Sequence, residues 1–355
     1  MNSDLEFPFT RPENLTALEL IDWIERSNKA HKQVHLETLG MMWLAEDLAE
    51  GRRSKYGVQV SDQRVYQSAL LTAGDLAIHL NWKKHRVVYD VEPTLQESLA
   101  DMQTDNVLPG EILRQLPHPN PLFTWPAGHT VTAQDGRPAV MRAMYVSART
   151  ADGTMCSTHV PEAATYQLTF LSDLLDEQGR VATPDSVRMS FELKSAATSI
   201  DEIVKSVLKD FVWEPLLQID GTHADKVAYM KSLVRFGVAH LLYTCSEKAD
   251  IDRPVPSRTI AKGKNAGQPT KEAVLTHPLG YRIGPAIRSA RERFEKDGRA
   301  HAGTGRTVAP HIRRAHLHTF KHGPGRTLSK VKWLPPIFVS ADGQEYGGTI
   351  IPVTL

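Results

Sequence analysis

The sequence predicts an α+β fold with a helical N-terminal half, a mixed middle and C-terminal antiparallel β-hairpins that carry a His/Arg motif. Apolar residues recur at three-to-four spacing over residues 14–50 and 61–82, as on one face of a helix. Residues 311–353 contain two glycine-bearing turns, Gly323-Pro324-Gly325 and Asp342-Gly343. Short strands joined by tight turns, grouped apart from the helices, favour antiparallel pairing over a doubly wound sheet.

The elements follow in order along the chain. After the two N-terminal helices, a short strand is predicted over residues 86–89 and a helix over 93–102. A proline-rich stretch follows, with one or two helical turns at 111–116, and marks a transition between domains or layers. Strands at 139–146 and 167–171 then flank an Asp152-Gly153 turn. Further helices are predicted at 201–212, at 224–243, where the helix is nearly buried, and at 281–296.

These elements group into four regions. Residues 1–125 form a mainly helical region, and 126–252 form a mixed region that ends in the buried helix. Residues 253–270 are rich in Pro, Gly and charge, so we expect an exposed, mobile loop there. Residues 271–355 form a basic region that contains the His/Arg motif and the hairpins.

The charge of the chain is balanced only on average. Lys and Arg number 42 against 41 Asp and Glu, but residues 251–335 hold 18 basic and 5 acidic residues, a net charge of +13. Such a segment suits a polyanion such as RNA, or it neutralises an acidic part of the same chain. There is no run of 18 apolar residues and no basic N-terminal signal, so we expect a cytoplasmic protein. The two cysteines, Cys156 and Cys245, are predicted to be buried structural thiols.

The densest polar cluster is the His/Arg motif at residues 310–318. If residues 312–320 form one strand, Arg314, His316 and His318 share a face and become candidate catalytic residues. Two imidazoles and a guanidinium suit RNA cleavage without metal, as general base, general acid and stabilising cation. Two alternatives stay open: metal binding by the two His, for which no third ligand is near, and phosphate, peptide or structural contacts. We expect no metal and no cofactor.

Several sequence segments resemble those of a type V-A anti-CRISPR family. The longest runs from Pro310 through His318, with Gly323 and Gly325, to the segment 331–339. Weaker matches lie at 241–247 with Asp250 and Ile251, at 281–284, and at 108–117. Leu317 stands where the family typically has Trp, and Ser340 where it typically has Asn. The family is found in phages, plasmids and other mobile elements.

The resemblance implies a function. The family's known member lowers the mRNA of the type V-A CRISPR effector nuclease in a translation-dependent way, through recognition of the nascent N-terminal polypeptide. This chain is therefore expected to bind a nascent peptide and to contact RNA or the ribosome through its basic C-terminal region. The alternatives are a metal-independent endoribonuclease and a non-catalytic peptide-binding adaptor. The candidate RNA- or partner-binding residues are His311, Arg313, Lys321, His322, Arg326, Lys332, Trp333, Arg282 and Arg288.

Overall fold

The computed structural model describes residues 86–347 apart from 134, 151–155, 157–159, 161–163, 193–197, 211–221, 257–273, 298–309 and 341–342, together with Ile78, His79, Trp82, Lys83 and His85. The chain divides into two compact units, Met1–Lys83 and Lys84–Leu355. The helices predicted over 14–50 and 61–82, and with them the helical N-terminal half, lie outside the described residues, except for helical backbone at Ile78, His79 and Trp82. The elements below belong to the second unit.

A seven-stranded mixed sheet organises the second unit, in the order β5-β4-β3-β2-β1-β7-β6. β1 is parallel to both of its neighbours, β2 and β7, and the remaining neighbours in the sheet are antiparallel. The strands predicted at 86–89, 139–146 and 167–171 are confirmed as β1, β3 and β4. The strands are β1 (Val87–Val91), β2 (Leu122–Thr132), β3 (Pro138–Arg149), β4 (Thr165–Leu175), β5 (Val181–Glu192), β6 (Val255–Pro256) and β7 (Leu275–Leu279).

The parallel pairing of β1 is a feature that the sequence did not predict. A long connection joins β1 to β2, and it contains helix α1 (Pro93–Ala100) and a 3₁₀ turn (Gly110–Gln115). A connection of this length can return the chain to the same end of the sheet, which parallel pairing requires. The helix expected over 93–102 and the helical turns expected over 111–116 are both confirmed.

Three further helices are confirmed close to their predicted bounds. They are α2 (Ile200–Asp210), α3 (His223–Cys245) and α4 (Ile283–Asp297). A capping box starts α3, because Thr222 accepts from the Asp225 backbone N–H and the Asp225 carboxylate accepts from that of Thr222. Gly237 lets α3 lie directly on the sheet, since a Cβ there would stand 2.7 Å from the Phe170 ring. No helix in the described ranges is long and apolar enough to cross a membrane.

The C-terminal part forms the two predicted hairpins. β9 and β10 pair antiparallel through a turn that contains the 3₁₀ segment Pro324–Arg326, and β11 pairs antiparallel with β12. β8 also pairs antiparallel with β11, which makes a separate three-stranded sheet. The strands are β8 (His311–Arg313), β9 (His316–His322), β10 (Leu328–Leu334), β11 (Ile337–Val339) and β12 (Glu345–Tyr346).

The continuous strand expected over 312–320 is wrong, because the chain breaks between β8 and β9. Ala315 at the break is buried, and its carbonyl oxygen accepts from the Gln103 N–H at 2.9 Å. The Asn106 side chain donates to the Leu317 carbonyl oxygen at 3.1 Å. These two contacts hold the start of β9 against residues 103–106, while β8 leaves to pair with β11.

The mobile loop predicted over 253–270 is described only at its start, where residues 253–256 are exposed and contribute β6. The rest of that loop lies outside the described residues. The large sheet takes strands from all four regions that the sequence suggested: β1, β3, β6 and β7 come from one region each. The four-region division remains a sequence-based prediction.

Candidate functional site

The β9–β10 hairpin presents two very different faces. Directly paired residues share a face of an antiparallel pair, and alternate residues along a strand do the same. One face is buried and carries Leu317, Val331 and Trp333. The other, here called the hairpin outer face, consists of His316, His318, Phe320 and His322 on β9 and Leu328, Lys330, Lys332 and Leu334 on β10.

The two candidate catalytic imidazoles lie together on the hairpin outer face. The His316 and His318 ring centroids are 6.4 Å apart, with the rings nearly perpendicular. His318 is exposed, and His316 is partly exposed. His316 Nδ1 lies 3.3 Å from the carbonyl oxygen of Arg314, which orients that ring. The predicted sharing of a face by these two His is therefore confirmed.

Arg314 does not belong to this face in the way the sequence suggested. It precedes β9, at the break in the chain, so strand alternation does not extend to it. Its Nε lies 3.4 Å from the Asp101 carboxylate, and both side chains are well exposed. The expectation that one continuous strand places Arg314 beside His316 and His318 is wrong, because β9 begins only at His316.

Phe320 is a member of this face that the sequence analysis missed. Its ring centroid lies 4.4 Å from that of His318, and Lys332 Nζ stands 5.4 Å from the centre of its ring. Lys332 pairs directly with His318 across the hairpin. The same period-two rule that joined the two His would have added Phe320, two residues beyond His318.

Two lysines of the outer face share one carboxylate. Lys330 Nζ lies 2.9 Å from Glu247 Oε1, and Lys332 Nζ lies 3.4 Å from Glu247 Oε2. Glu247 follows α3, and its N–H donates to the Val331 carbonyl oxygen at 2.6 Å. The hydrogen bond from Lys330 and the charges of the two lysines lower the pKa of Glu247. No local sequence pattern pairs Glu247 with a strand more than eighty residues later.

Trp333 lies on the buried face of the hairpin. It is paired with Leu317 and packs edge-to-face on Tyr243, with ring centroids 5.2 Å apart. Only 8% of its surface is exposed. Leu317 lies on the face opposite the two His. Trp333 is a predicted RNA- or partner-binding residue, but its buried position supports packing in the core.

Several other predicted contact residues are paired within the chain. Arg282 binds the buried Asp250, with Nε 2.5 Å from Oδ1, and Arg288 binds the buried Glu92. Arg313 pairs with Glu345 at 2.8 Å. The basic segment thus neutralises part of the acidic remainder of the chain, as one of the two interpretations of the charge pattern expected. Near the tip of the β9–β10 hairpin, Arg326 is exposed, His322 is partly exposed, and the exposed Lys321 donates to the Ser329 hydroxyl. His311, on β8, is also exposed.

Three sequence segments that resemble the anti-CRISPR family lie in contact, namely 241–251, 281–284 and 310–339. Asp250 accepts from the backbone N–H groups of Arg282 and Ile283, each at 2.9 Å, and its own N–H donates to the Tyr243 hydroxyl. Asp250 therefore ties the end of α3 to the start of α4. Glu247 ties the same end of α3 to the hairpin. These segments together position the hairpin outer face.

A second imidazole cluster lies on the large sheet, and no sequence pattern predicted it. The Tyr89 hydroxyl shares a 2.8 Å hydrogen bond with His118 Nδ1, and the His118 and His277 rings are 5.2 Å apart. Burial, then the nearby His277 and His85, lowers the pKa of His118. Within the described ranges, no three His, Cys, Asp or Glu residues are arranged to hold a metal ion.

The buried His240 and the two cysteines are structural. Trp125 Nε1 donates to His240 Nε2 at 3.1 Å, and His240 Nδ1 lies 2.7 Å from the Phe236 carbonyl oxygen. Burial lowers the pKa of His240 to about 3, so the ring is neutral at pH 7. Cys156 and Cys245 are buried and are not joined in a disulfide, and burial raises the pKa of Cys245. The expectation that they are buried thiols is confirmed.

Comparison with known proteins shows to which protein family the chain belongs. A model of an anti-CRISPR protein family matches residues 89–341, from β1 to the end of β11 and beyond. This is more than half of the chain, so the chain belongs to the AcrVA2-like family, the anti-CRISPR type V subtype A2 family. The crystal structure of AcrVA2 is similar at 17% identity, with 91% of this chain and 94% of that chain covered and a TM-score of 0.45. No curated protein matches the chain.

Proposed function

We propose that the chain is an anti-CRISPR regulator that recognises a nascent polypeptide and lowers the amount of the mRNA that encodes it. In this proposal the basic C-terminal region contacts RNA or the ribosome. Membership of the anti-CRISPR type V subtype A2 family supports the anti-CRISPR part. The observation that carries the RNA part is the hairpin outer face, where imidazoles and lysines are accessible together. Such groups suit contact with phosphates.

The proposed partner is the nascent N-terminal peptide of a target protein, a CRISPR effector nuclease of type V-A in the first instance. The chain would act in the cytoplasm of a bacterial host, carried there by a phage or a plasmid. Because the peptide is recognised as it is made, message loss should depend on translation of the effector's first codons.

The direct test is to express the chain in bacteria with a type V-A effector gene and to measure the effector's mRNA. We expect the mRNA to fall when the gene is translated. A matched gene with a mutated start codon should keep its mRNA, because no nascent peptide is made. Equal mRNA loss from both genes, or none from either, would contradict the proposal.

The His pair supports a second candidate function, a metal-independent endoribonuclease. His316 and His318 are close enough for one neutral imidazole to take the proton of a 2′-hydroxyl while the other, protonated, gives its proton to the leaving 5′-oxygen. The 2′-oxygen then bonds to phosphorus and the bond to the 5′-oxygen breaks. With Arg314 paired to Asp101, Lys332 is the cation nearest in register for the developing charge.

Incubation of the purified protein with labelled RNA, in EDTA and in magnesium, distinguishes these functions. Cleavage in EDTA that is lost in a His316→Ala/His318→Ala variant would favour the nuclease. Binding without cleavage favours recruitment of a host nuclease. If the protein neither binds nor cleaves RNA, a non-catalytic peptide-binding adaptor is favoured. The pairing of Arg282 and Arg288 with carboxylates of the same chain would suit that function.

A further inference from the structure

Glu247 places one carboxylate against two lysines of the hairpin outer face. Its two carboxylate oxygens take up Lys330 and Lys332 separately, at 2.9 and 3.4 Å. All three side chains remain about one third exposed, while the Oε2 atom of Glu247 is buried. Partly exposed ion pairs are weak, so a phosphate that reaches both lysines can replace the carboxylate.

The rings beside these lysines offer a surface for bases. His318 is exposed and touches Phe320, whose ring is partly exposed and lies close to Lys332 Nζ. An imidazole, a phenyl ring and a cation in a row match the side chains on which proteins stack successive bases of a single strand. His316 extends the row at one end and His322 at the other.

We propose that the hairpin outer face binds single-stranded RNA, with bases stacked on His318 and Phe320 and with an RNA phosphate displacing Glu247 from Lys330 and Lys332. This inference rests on the proposed function, because it names the RNA contact that the function requires. Glu247 acts as an internal competitor that keeps affinity for RNA low. Its removal therefore strengthens binding.

The occupant is a single strand rather than a duplex for a geometric reason. Bases in an A-form helix are stacked on one another, and its major groove is too deep and narrow for side chains to read. The rings of the outer face can meet only bases that are already unstacked. If the face instead bound a protein, the exposed Leu328 would contribute as much as Phe320. RNA would then show no preference for the single strand over the duplex.

The experiment measures binding of the full chain to a fluorescent 12-nucleotide RNA without secondary structure, by anisotropy, at several salt concentrations. A duplex of the same sequence is the second probe. We expect the single strand to bind more tightly than the duplex. Phe320→Ala should weaken binding to the single strand by about 5- to 150-fold, the range for loss of one base-stacking side chain.

Glu247→Gln gives the sharper result, because it should increase affinity. Because the phosphate contacts Lys330 and Lys332 in both proteins once RNA is bound, the plot of log affinity against log salt should keep nearly the same slope. The matched control for charge is Glu295→Gln, which also neutralises one carboxylate, at an exposed position on α4. It should leave the affinity for the single strand nearly unchanged.

The outcomes separate this inference from the proposed function. Unchanged or weaker binding by Glu247→Gln, equal binding of duplex and single strand, or no RNA binding by any variant overturns the inference. If these variants also keep full message loss in cells, the proposed function stands without it. If the predicted binding pattern appears but the effector's mRNA does not fall in cells, the inference stands and the proposed function fails.

Discussion

Replacing Gly284 with Ala should destabilise the protein, although Ala favours helices. Gly284 is in the first turn of α4, and a Cβ there would fall well inside van der Waals contact of the Glu92 carboxylate. Glu92 caps α1 by accepting from the Leu95 N–H at 2.9 Å, and it binds Arg288. Displacing it costs about 1 kcal/mol for the cap and about 1–3 kcal/mol for overpacking. The helix preference returns about 1 kcal/mol, so we expect a net loss of about 1–3 kcal/mol.

Urea unfolding followed by circular dichroism measures this change, and a double-mutant cycle tests its cause. In a Glu92→Ala background the clash is gone, so Gly284→Ala should be neutral or stabilising there. Ser289→Ala, an exposed substitution in the same helix, should change stability by less than about 0.5 kcal/mol. The reasoning is refuted if Gly284→Ala costs the same with and without the Glu92 carboxylate.

Three more predictions concern stability. Burial lowers the pKa of His240 from an ordinary 6.5 to about 3, so the free energy of unfolding should fall as pH drops below about 6.5. At pH 5 this residue should account for a loss of about 2 kcal/mol. A His240→Gln variant should lose that part of the pH dependence, measured by urea unfolding at several pH values. Asp250→Asn should cost about 1.5–3 kcal/mol, because the buried carboxylate accepts from two backbone N–H groups and from Arg282. Asp252→Asn, at a partly exposed carboxylate 3.4 Å from Arg282, should cost less than about 1 kcal/mol. Trp333→Ala should lower the unfolding free energy by about 3–5 kcal/mol, and a variant as stable as the parent would show that the ring is not in the core.

Local pattern was enough to predict the elements whose shape is set by their own residues. The buried helix α3 follows from apolar residues all round it, and the first hairpin follows from period-two strands that flank Gly323 and Gly325. The same periodicity correctly put His316 and His318 on one face. These features depend on neighbours within a few residues, which a single sequence displays.

The features that failed depend on contacts across the chain. The break before β9 comes from hydrogen bonds to residues 103–106, more than two hundred residues earlier. Arg314 and Arg288 are held by Asp101 and Glu92, which sequence spacing does not connect with them. Charge counting revealed the +13 segment but not which of its cations are already paired.

The most direct test of the account is ultraviolet crosslinking of the full chain to RNA in bacteria that express a translated type V-A effector gene, with the crosslinked peptides mapped by mass spectrometry. The account predicts crosslinks within β9 and β10, at His318 or Phe320, and their loss when the effector's start codon is mutated. Crosslinks confined to other segments, or no RNA crosslink while the effector's mRNA still falls, would contradict the claim that the hairpin outer face is the RNA contact.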